Sequence, residues 1–255
     1  MGLTSAVLRL AAPTPRLTDF SRFLFIGPHP DDIEIGGGAS AACLAAAGKD
    51  VSFLICTDGR FGLENAPAGT TPEALAAIRR KECEAAAALL GARTLRFLEL
   101  SDGNRYSRDE LLRGMACVIG ELQPEVVFAP DPCVPAECHA DHLAVGEAAR
   151  TLAYFAPYRE IMSFYGAGSA DVQALAYYMT ARPNRYLKTS AYFETQLVAL
   201  RCHASQFPEG SAALKDVTTY LKLRSVDFGL RSMKGRAEGF RVLGRTQMHC
   251  LPEAK

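Results

Sequence analysis

The stretch Phe23-Leu24-Phe25-Ile26-Gly27, followed directly by Pro28-His29-Pro30-Asp31-Asp32, decides the fold. An uninterrupted apolar run of this length is typical of a β-strand that is buried on both faces of a parallel sheet. The alanine-rich residues after Gly36–Gly38 predict a helix as far as about Ala47, where Gly48 ends it. The stretch therefore indicates a strand–loop–helix unit with histidine and aspartate at the carboxyl end of the strand.

The alternation of strand and helix continues along the chain. Further strands are predicted at Val51–Cys56, Thr94–Leu98, Glu125–Ala129 and Ile161–Tyr165, and further helices at 72–90 (capped by Thr71), Arg108–Leu122 and His142–Phe155. Such alternation predicts an α/β fold: one doubly wound, Rossmann-like domain with a mostly parallel sheet and helices on both faces. Beyond residue 167 the pattern is less regular, with a strand predicted at Tyr186–Phe193 and a helix at Phe193–Gln206. We assign residues 1–20 to an N-terminal extension and 21–255 to the domain.

Composition excludes several classes of protein. The 255 residues contain 28 Lys and Arg against 28 Asp and Glu, and this balance gives no general attraction to nucleic acid or anionic membranes. No apolar run approaches the ~18 residues of a membrane span, and the N-terminus is a poor signal peptide. The eight cysteines are scattered and none forms Cys-x-x-Cys, which favours a reducing, cytoplasmic setting. The oligomeric state is open, and an assembly of identical chains is compatible with the sequence.

Two short segments contain most of the residues suited to chemistry. The first strand ends in His29-Pro30-Asp31-Asp32, and His139-Ala140-Asp141-His142 follows the fourth predicted strand. In the common strand order 3-2-1-4-5, strands one and four are neighbours, and their carboxyl ends open into the crevice where ligands bind. The two segments are therefore expected to meet in space.

Imidazole and carboxylate groups are ligands for zinc and related divalent ions, and a catalytic zinc takes three protein ligands. His29 and Asp32 are three residues apart, as are His139 and His142, and this spacing points two side chains the same way on a helical turn. Asp31 faces a different direction, which suits a base beside a metal.

The pair of segments resembles the LmbE-like/PIG-L superfamily of metal-dependent de-N-acetylases, which includes the mycothiol- and bacillithiol-pathway deacetylases. His29–Asp32 with Gly36–Gly38 matches the first family motif, and His139–His142 matches the second; the resemblance covers roughly residues 23–245. The resemblance implies these roles: zinc ligation by His29, Asp32 and His142, proton transfer by Asp31, oxyanion stabilisation by His139, and orientation of His139 by Asp141.

The resemblance also implies a substrate class. Arg79 and Asp102 match positions that contact the sugar in relatives, whereas Arg60 and Glu137 depart from the family pattern where substrate is expected. We therefore predict all four as substrate-binding residues. The implied reaction removes an acetyl group from an N-acetylglucosamine-type sugar or conjugate, with Zn²⁺ or Fe²⁺ as cofactor and a small amino sugar as the partner.

Three alternatives stay open. Asp31 or Asp32 and Asp141 could be plain helix N-caps, which would leave the histidines unexplained. The protein could bind metal or sugar without catalysis, although binding alone needs neither Asp31 nor His139. Two histidines and one carboxylate also form the facial triad of non-haem iron(II) oxygenases, whose usual fold is not a parallel sheet. His203, three residues before Gln206, fits either the rim of the site, which only a weaker family match of His203-Ala204-Ser205-Gln206 suggests, or a position at the surface or the core edge.

Overall fold

The computed structural model describes residues 11–249, which form a seven-stranded mixed sheet with helices on both faces. The strands are β1 (Arg22–Gly27), β2 (Asp50–Thr57), β3 (Thr94–Leu100), β4 (Val126–Pro130), β5 (Ala174–Tyr178), β6 (Arg185–Lys188) and β7 (Ala237–Gly244). The helices are α1 (Asp32–Ala46), α2 (Pro72–Leu89), α3 (Arg108–Leu122), α4 (Ala140–Phe155), α5 (Arg159–Phe164), α6 (Phe193–Arg201) and α7 (Ala212–Ser232).

The strand order is β3-β2-β1-β4-β5-β7-β6. The first five strands pair in parallel, with Phe23 of β1 opposite Val51 of β2 on one side and Val126 of β4 on the other. The strand β7 then pairs antiparallel with both β5 and β6. The predicted α/β fold is confirmed. After β1 the strands are added towards one edge of the sheet, and from β4 onward towards the other edge, so the strand order switches between β1 and β4, where the crevice was expected.

Alternate side chains of the strands supply two hydrophobic cores, one on each face of the sheet. Phe25 of β1 stacks on Phe128 of β4, with ring centroids 4.1 Å apart, in the core that α1, α2 and α6 cover. Leu24 and Ile26 of β1 point the other way into the core under α3, α4 and α5. Burial on both faces explains why the central strands β1, β4 and β5 read as continuous apolar runs rather than as alternating patterns.

Gly36 allows α1 to pack closely against the end of β5. A Cβ atom at this position would lie 2.2 Å from the ring of Tyr178, whose hydroxyl donates a hydrogen bond to the backbone oxygen of Ile26 at 2.7 Å. A side chain here would force helix and strand apart. This glycine therefore fixes the distance between α1 and the strand beside β4.

The prediction of a strand at Ile161–Tyr165 is wrong, because Arg159–Phe164 forms the short helix α5. Of this helix only Met162 is buried, while Phe164 is 73% exposed, so the segment has one apolar side and not the two of a central strand. The fifth strand instead occupies Ala174–Tyr178, all five residues of which are buried.

Several boundaries also differ from the prediction. The helix α1 begins at Asp32 rather than at Gly36, the predicted strand Tyr186–Phe193 is the shorter β6, and the helix predicted to Gln206 ends at Arg201. The division at residue 20 stays a prediction, and residues 1–10 of the extension lie outside the described residues. The remainder packs on the domain: Leu17 is buried, and Arg185 Nε donates to the backbone oxygen of Pro15 at 2.9 Å. None of the helices within residues 11–249 has the length and apolar character of a bilayer span.

Candidate metal centre and active site

The first motif, His29–Asp32, forms the loop after β1 and the N-terminus of α1. Asp31 is the N-cap residue of α1, with φ at 123°, and its side chain makes no capping hydrogen bond. Because a positive φ is costly for a residue with a Cβ, contacts must hold this conformation. Arg79 supplies them: its Nη2 donates to the backbone oxygen of Pro30 at 2.6 Å and to Asp31 Oδ2 at 3.0 Å. Helix capping therefore does not explain Asp31.

His29, Asp32 and His142 lie together at the carboxyl ends of β1 and β4. Asp32 is between the two rings, with Oδ2 at 3.0 Å from His29 Nδ1 and Oδ1 at 3.2 Å from His142 Nε2. One possible ligand atom from each residue lies within 4.8 Å of the others. Burial would raise the pKa of Asp32, but the charge and hydrogen bonds of His142 and His29 hold that pKa well below its usual range. An ionised carboxylate flanked by two imidazoles fits a divalent cation.

In a second group, His29, His139 and Asp141, one possible ligand atom from each residue also lies within 4.8 Å of the others. The carboxylate of Asp141 is already fully hydrogen-bonded, however. It accepts from the backbone N–H of Gly103 at 2.8 Å, from that of Asn104 at 2.7 Å and from the Tyr106 hydroxyl at 2.9 Å, and His29 Nε2 lies 3.0 Å from its Oδ2. A carboxylate has about four lone-pair sites. The donor chemistry therefore favours the group of His29, Asp32 and His142.

Asp141 lies against the ring of His29 on the side opposite Asp32. A carboxylate on the second nitrogen of a ligating histidine fixes its tautomer and ring orientation. Burial would lower the pKa of His29, but its hydrogen bonds to Asp141 and Asp32 and the nearby negative charges raise it to about 10. The contact expected between Asp141 and His139 is longer, 3.8 Å from Oδ2 to Nδ1, so of these two histidines His29 is the one that Asp141 holds in the structure.

His139 lies at the mouth of the cluster. It is the N-cap residue of α4, and its Nδ1 accepts from the backbone N–H of Asp141 at 3.3 Å. The side chain is 51% exposed, and the ring centroid lies 4.6 Å from that of His29 and 5.0 Å from that of His142. Burial and the charges of these two histidines lower the pKa of His139. The accessible ring can contact a ligand bound beside the cluster.

Asp31 is the carboxylate best suited to proton transfer. Burial raises its pKa to about 6, the charge of Arg79 opposes this shift, and the charge of Asp32 adds to it. A base with a pKa near the working pH is the most effective proton carrier. The Arg79 side chain is 5% exposed, and its Nη1 donates to the backbone oxygen of Gly59 at 2.9 Å. The structure therefore places this predicted substrate residue behind Asp31, where it holds the carboxylate.

Two other predicted substrate residues lie on the loops after β2 and β3. Asp102 accepts from the backbone N–H of Phe61, with both oxygens at 3.2 Å. Arg60 Nε donates to Asp58 Oδ2 at 2.8 Å. Arg60 and Asp58 line a cavity of about 290 Å³ that extends to α2 and Pro30. These loops adjoin the first motif, and contact of Asp102 and Arg60 with substrate stays a prediction.

The fourth predicted substrate residue, Glu137, contacts the second motif. Its Oε2 lies 3.1 Å from His142 Nδ1, and its Oε1 accepts from the backbone N–H of His139 at 2.8 Å. The carboxylate thus bonds to a candidate metal ligand on the ring edge that faces away from Asp32.

Sequence reasoning missed Tyr106 and a buried pair behind the site. Tyr106 is in a loop without a motif and reaches Asp141 only through folding. His203 Nε2 lies 3.5 Å from Glu34 Oε2, and neither residue has any exposed surface, so of the alternatives for His203 a surface position is wrong and a position in the core is found. Burial would lower the pKa of His203, but the charge of Glu34 raises it. The weaker family match of His203-Ala204-Ser205-Gln206 was the available signal, and Gln206 Nε2 donates to the backbone oxygen of Gly62 at 2.9 Å.

Fold and site together define an α/β protein with a two-histidine, one-aspartate cluster of the kind that holds a single divalent cation. Residues 24–153 match the family described as PIG-L, GlcNAc-PI de-N-acetylase, and the chain belongs to this family of de-N-acetylases.

Similar proteins agree with this membership. The chain is 31% identical over 239 residues to a diacetylchitobiose deacetylase from Thermococcus kodakarensis, covering 92% of this chain and 88% of that protein. It is 39% identical over 127 residues to a 1D-myo-inositol 2-acetamido-2-deoxy-alpha-D-glucopyranoside deacetylase from Kineococcus radiotolerans, covering 48% of this chain and 35% of that protein. The solved N,N'-diacetylchitobiose deacetylase from Pyrococcus horikoshii superposes with a TM-score of 0.88 and 29% identity, over 99% of this chain and 97% of that one.

Proposed function

We propose that the protein is a zinc-dependent hydrolase that removes the acetyl group from the amide nitrogen of an N-acetylglucosamine-type sugar or conjugate, giving acetate and a free amine. Fe²⁺ is the alternative metal. The observation that carries the proposal is the cluster of His29, Asp32 and His142, whose candidate ligand atoms lie within 4.8 Å of one another, with the buried carboxylate of Asp31 next to it.

The residues of the cluster fit a divalent cation. Two imidazoles and a carboxylate are a usual donor set for catalytic zinc, and both imidazoles have a further carboxylate on their other nitrogen, Asp141 for His29 and Glu137 for His142. When bound, a divalent cation supplies Lewis acidity, which lowers the pKa of water and polarises the amide carbonyl.

The chain itself supplies the proton transfers and the charge stabilisation. Asp31, held by Arg79, accepts the proton of the attacking water and delivers it to the amide nitrogen, which then leaves as a free amine. General acid–base help of this kind contributes ~10²–10⁴-fold to the rate. His139 stands at the mouth of the site, where its ring donates a hydrogen bond to the carbonyl oxygen as negative charge develops there.

The substrate class is supported by the names of the relatives, which act on N-acetylated amino sugars. Asp102 and Arg60 are the side chains that we expect to contact the sugar. The protein would thus work on a small molecule, without nucleic acid or membrane partners. The cytoplasmic location and the oligomeric state stay predictions; the seven cysteines among residues 11–249 are free thiols.

Metal analysis of the purified protein, paired with a free-amine assay on a panel of N-acetylglucosamine conjugates, tests the proposal. We expect one divalent ion per chain and release of acetate and amine in equal amounts. Chelation of the metal should abolish this release, and added Zn²⁺ or Fe²⁺ should restore it. Bound metal without acetate release from any conjugate would favour the non-catalytic module. Turnover that requires oxygen would favour the iron oxygenase instead.

A further inference from the structure

Glu137 is the one predicted substrate residue whose side chain is engaged with the candidate metal cluster itself. The residue lies in the loop between β4 and α4, and its backbone N–H donates to the oxygen of Val134 at 3.0 Å, which closes a turn. Its side chain is 22% exposed, whereas that of His142 is 13% exposed. The turn directs the carboxylate inward along the start of α4, so that most of the Glu137 side chain is shielded from solvent.

Both oxygens of this carboxylate are used. Oε1 accepts from the backbone N–H of His139, the N-cap residue of α4, at 2.8 Å. Oε2 lies 3.1 Å from Nδ1 of His142, one turn further into the helix. One side chain therefore fixes the start of the helix and the ring of a residue on its first turn at the same time.

The ring of His142 is held between two carboxylates. Its Nε2 faces Asp32 Oδ1 at 3.2 Å, and its Nδ1 faces Glu137 Oε2 at 3.1 Å. The two nitrogens lie on different edges of the imidazole, so a carboxylate that accepts from Nδ1–H leaves the lone pair on Nε2, the nitrogen that points into the cluster. His29 has the same arrangement, with Asp32 on one nitrogen and Asp141 on the other.

We propose that Glu137 is a positioning residue, which fixes the tautomer and the ring orientation of His142 for metal binding, and that it does not recognise the substrate. This inference rests on the proposed metal site. Removal of a carboxylate that supports a ligating histidine commonly costs 10–100-fold in metal affinity or activity. Loss of a sugar contact would instead raise KM and leave the metal in place.

The test is the zinc affinity of the full chain, measured by competition with a chromophoric chelator, for the native protein, Glu137→Ala and Glu137→Gln. We expect Glu137→Ala to weaken zinc binding about 10–100-fold. The zinc affinity of Glu137→Gln should lie between those of the native protein and Glu137→Ala, because one amide oxygen can accept from either His139 N–H or His142 Nδ1–H but not from both. Glu147→Ala is the matched control: Glu147 is an exposed carboxylate on the same helix, paired with Arg150, and its removal should leave the affinity unchanged.

Kinetics of the zinc-saturated variants give a second readout. We expect kcat of Glu137→Ala to fall while KM stays within about twofold of the native value, since the sugar contacts are intact. Native zinc affinity in a folded Glu137→Ala, with or without a raised KM, would overturn the inference. Failure of the native chain to bind zinc or iron would instead overturn the proposed function, so the two failures are distinguishable.

Discussion

Two of the buried carboxylates at helix α1, Asp32 of the helix itself and Glu238 of β7, have pKa values shifted in opposite directions. Asp32, in the first turn of α1, is flanked by His29 and His142. Burial would raise the pKa of Asp32, but the charges of these two histidines hold it well below its usual range. Glu238 of β7 lies against the middle of α1, where burial raises its pKa to about 7 and hydrogen bonds from Ser40 and its neighbours only partly oppose the shift. The difference lies in the partners: cationic rings in one case, neutral donors in the other.

Asp32 is a carboxylate available for chemistry, whereas Glu238 is built into the core. Asp32 lies at the crevice between β1 and β4 and is ionised, so it can ligate a cation. Glu238 Oε2 accepts from the backbone N–H of Ser40 at 2.7 Å, and Oε1 accepts from Gln196 Nε2 at 2.8 Å. This second carboxylate joins α1, α6 and β7, and we assign it to stability alone.

The largest expected effect is that of His142→Ala, which removes one of three candidate ligands at the crevice. We expect loss of the metal and of all measurable turnover, because a catalytic zinc site with two protein ligands binds weakly. Metal content after dialysis and amine release check this outcome. His249→Ala, a change to an exposed ring on the C-terminal side of β7, is the matched control and should behave as the native protein. Retention of native metal content in His142→Ala would break the assignment of the crevice as the metal centre.

The next largest effect is expected for Asp31→Asn. This change keeps the shape of the side chain but removes the proton acceptor, so kcat should fall by ~10²–10⁴. Metal content should stay native, because Asp31 is paired with Arg79 and is outside the ligand group. Asp216→Asn, at an exposed position of α7, controls for the loss of a charge. Turnover close to native would show that another group carries the proton.

A smaller loss is expected for His139→Ala, at ~10²–10³ in kcat, the usual cost of one donor to a developing oxyanion. The metal should remain, since His139 is outside the favoured ligand group. Metal content and kcat of the same preparation decide the point. Loss of the metal in this variant would show that the group of His29, His139 and Asp141 is the true site, despite the four hydrogen bonds that already occupy Asp141.

The strand–helix alternation and the meeting of the two histidine–aspartate motifs could be predicted from sequence, whereas the choice of His29, Asp32 and His142 as candidate ligands came from the family resemblance. Apolar runs identify strands that are buried on both faces, and strand order then brings the two histidine–aspartate motifs together. The choice between Ile161–Tyr165 and Ala174–Tyr178 for the fifth strand could not be made this way. Both are short apolar runs, and only packing shows that one is a surface helix and the other a central strand.

The surroundings of the cluster were less predictable because they depend on which elements pack together. Tyr106 is not in a motif and comes from a loop 35 residues before Asp141. Arg79 was assigned to substrate from a family pattern, yet its guanidinium points into the loop of Asp31. Sequence indicates which side chains can ligate or transfer protons, whereas partners on other elements determine how each is held.

The smallest effect on turnover, and the clearest test of the second carboxylate, is expected for Glu238→Gln. With a folded-state pKa of about 7, Glu238 binds its proton more tightly in the folded than in the unfolded chain, where its pKa is near 4.5. Its contribution to stability is therefore complete below about pH 4.5 and is lost as pH rises through 7. The shift corresponds to about 3 kcal/mol across this window.

We expect the native protein to lose unfolding free energy between pH 5 and pH 8 more steeply than Glu238→Gln, measured by urea denaturation at each pH. The variant should be less stable than the native chain at pH 5, because its amide cannot accept from Ser40 and Gln196 at once, and the gap should narrow or reverse at pH 8. Glu209→Gln, an exposed carboxylate, should keep the native pH dependence. Equal slopes in the native chain and Glu238→Gln would show that the pKa of Glu238 is not raised in the folded chain, so that its neutral donors alone keep this buried carboxylate ionised.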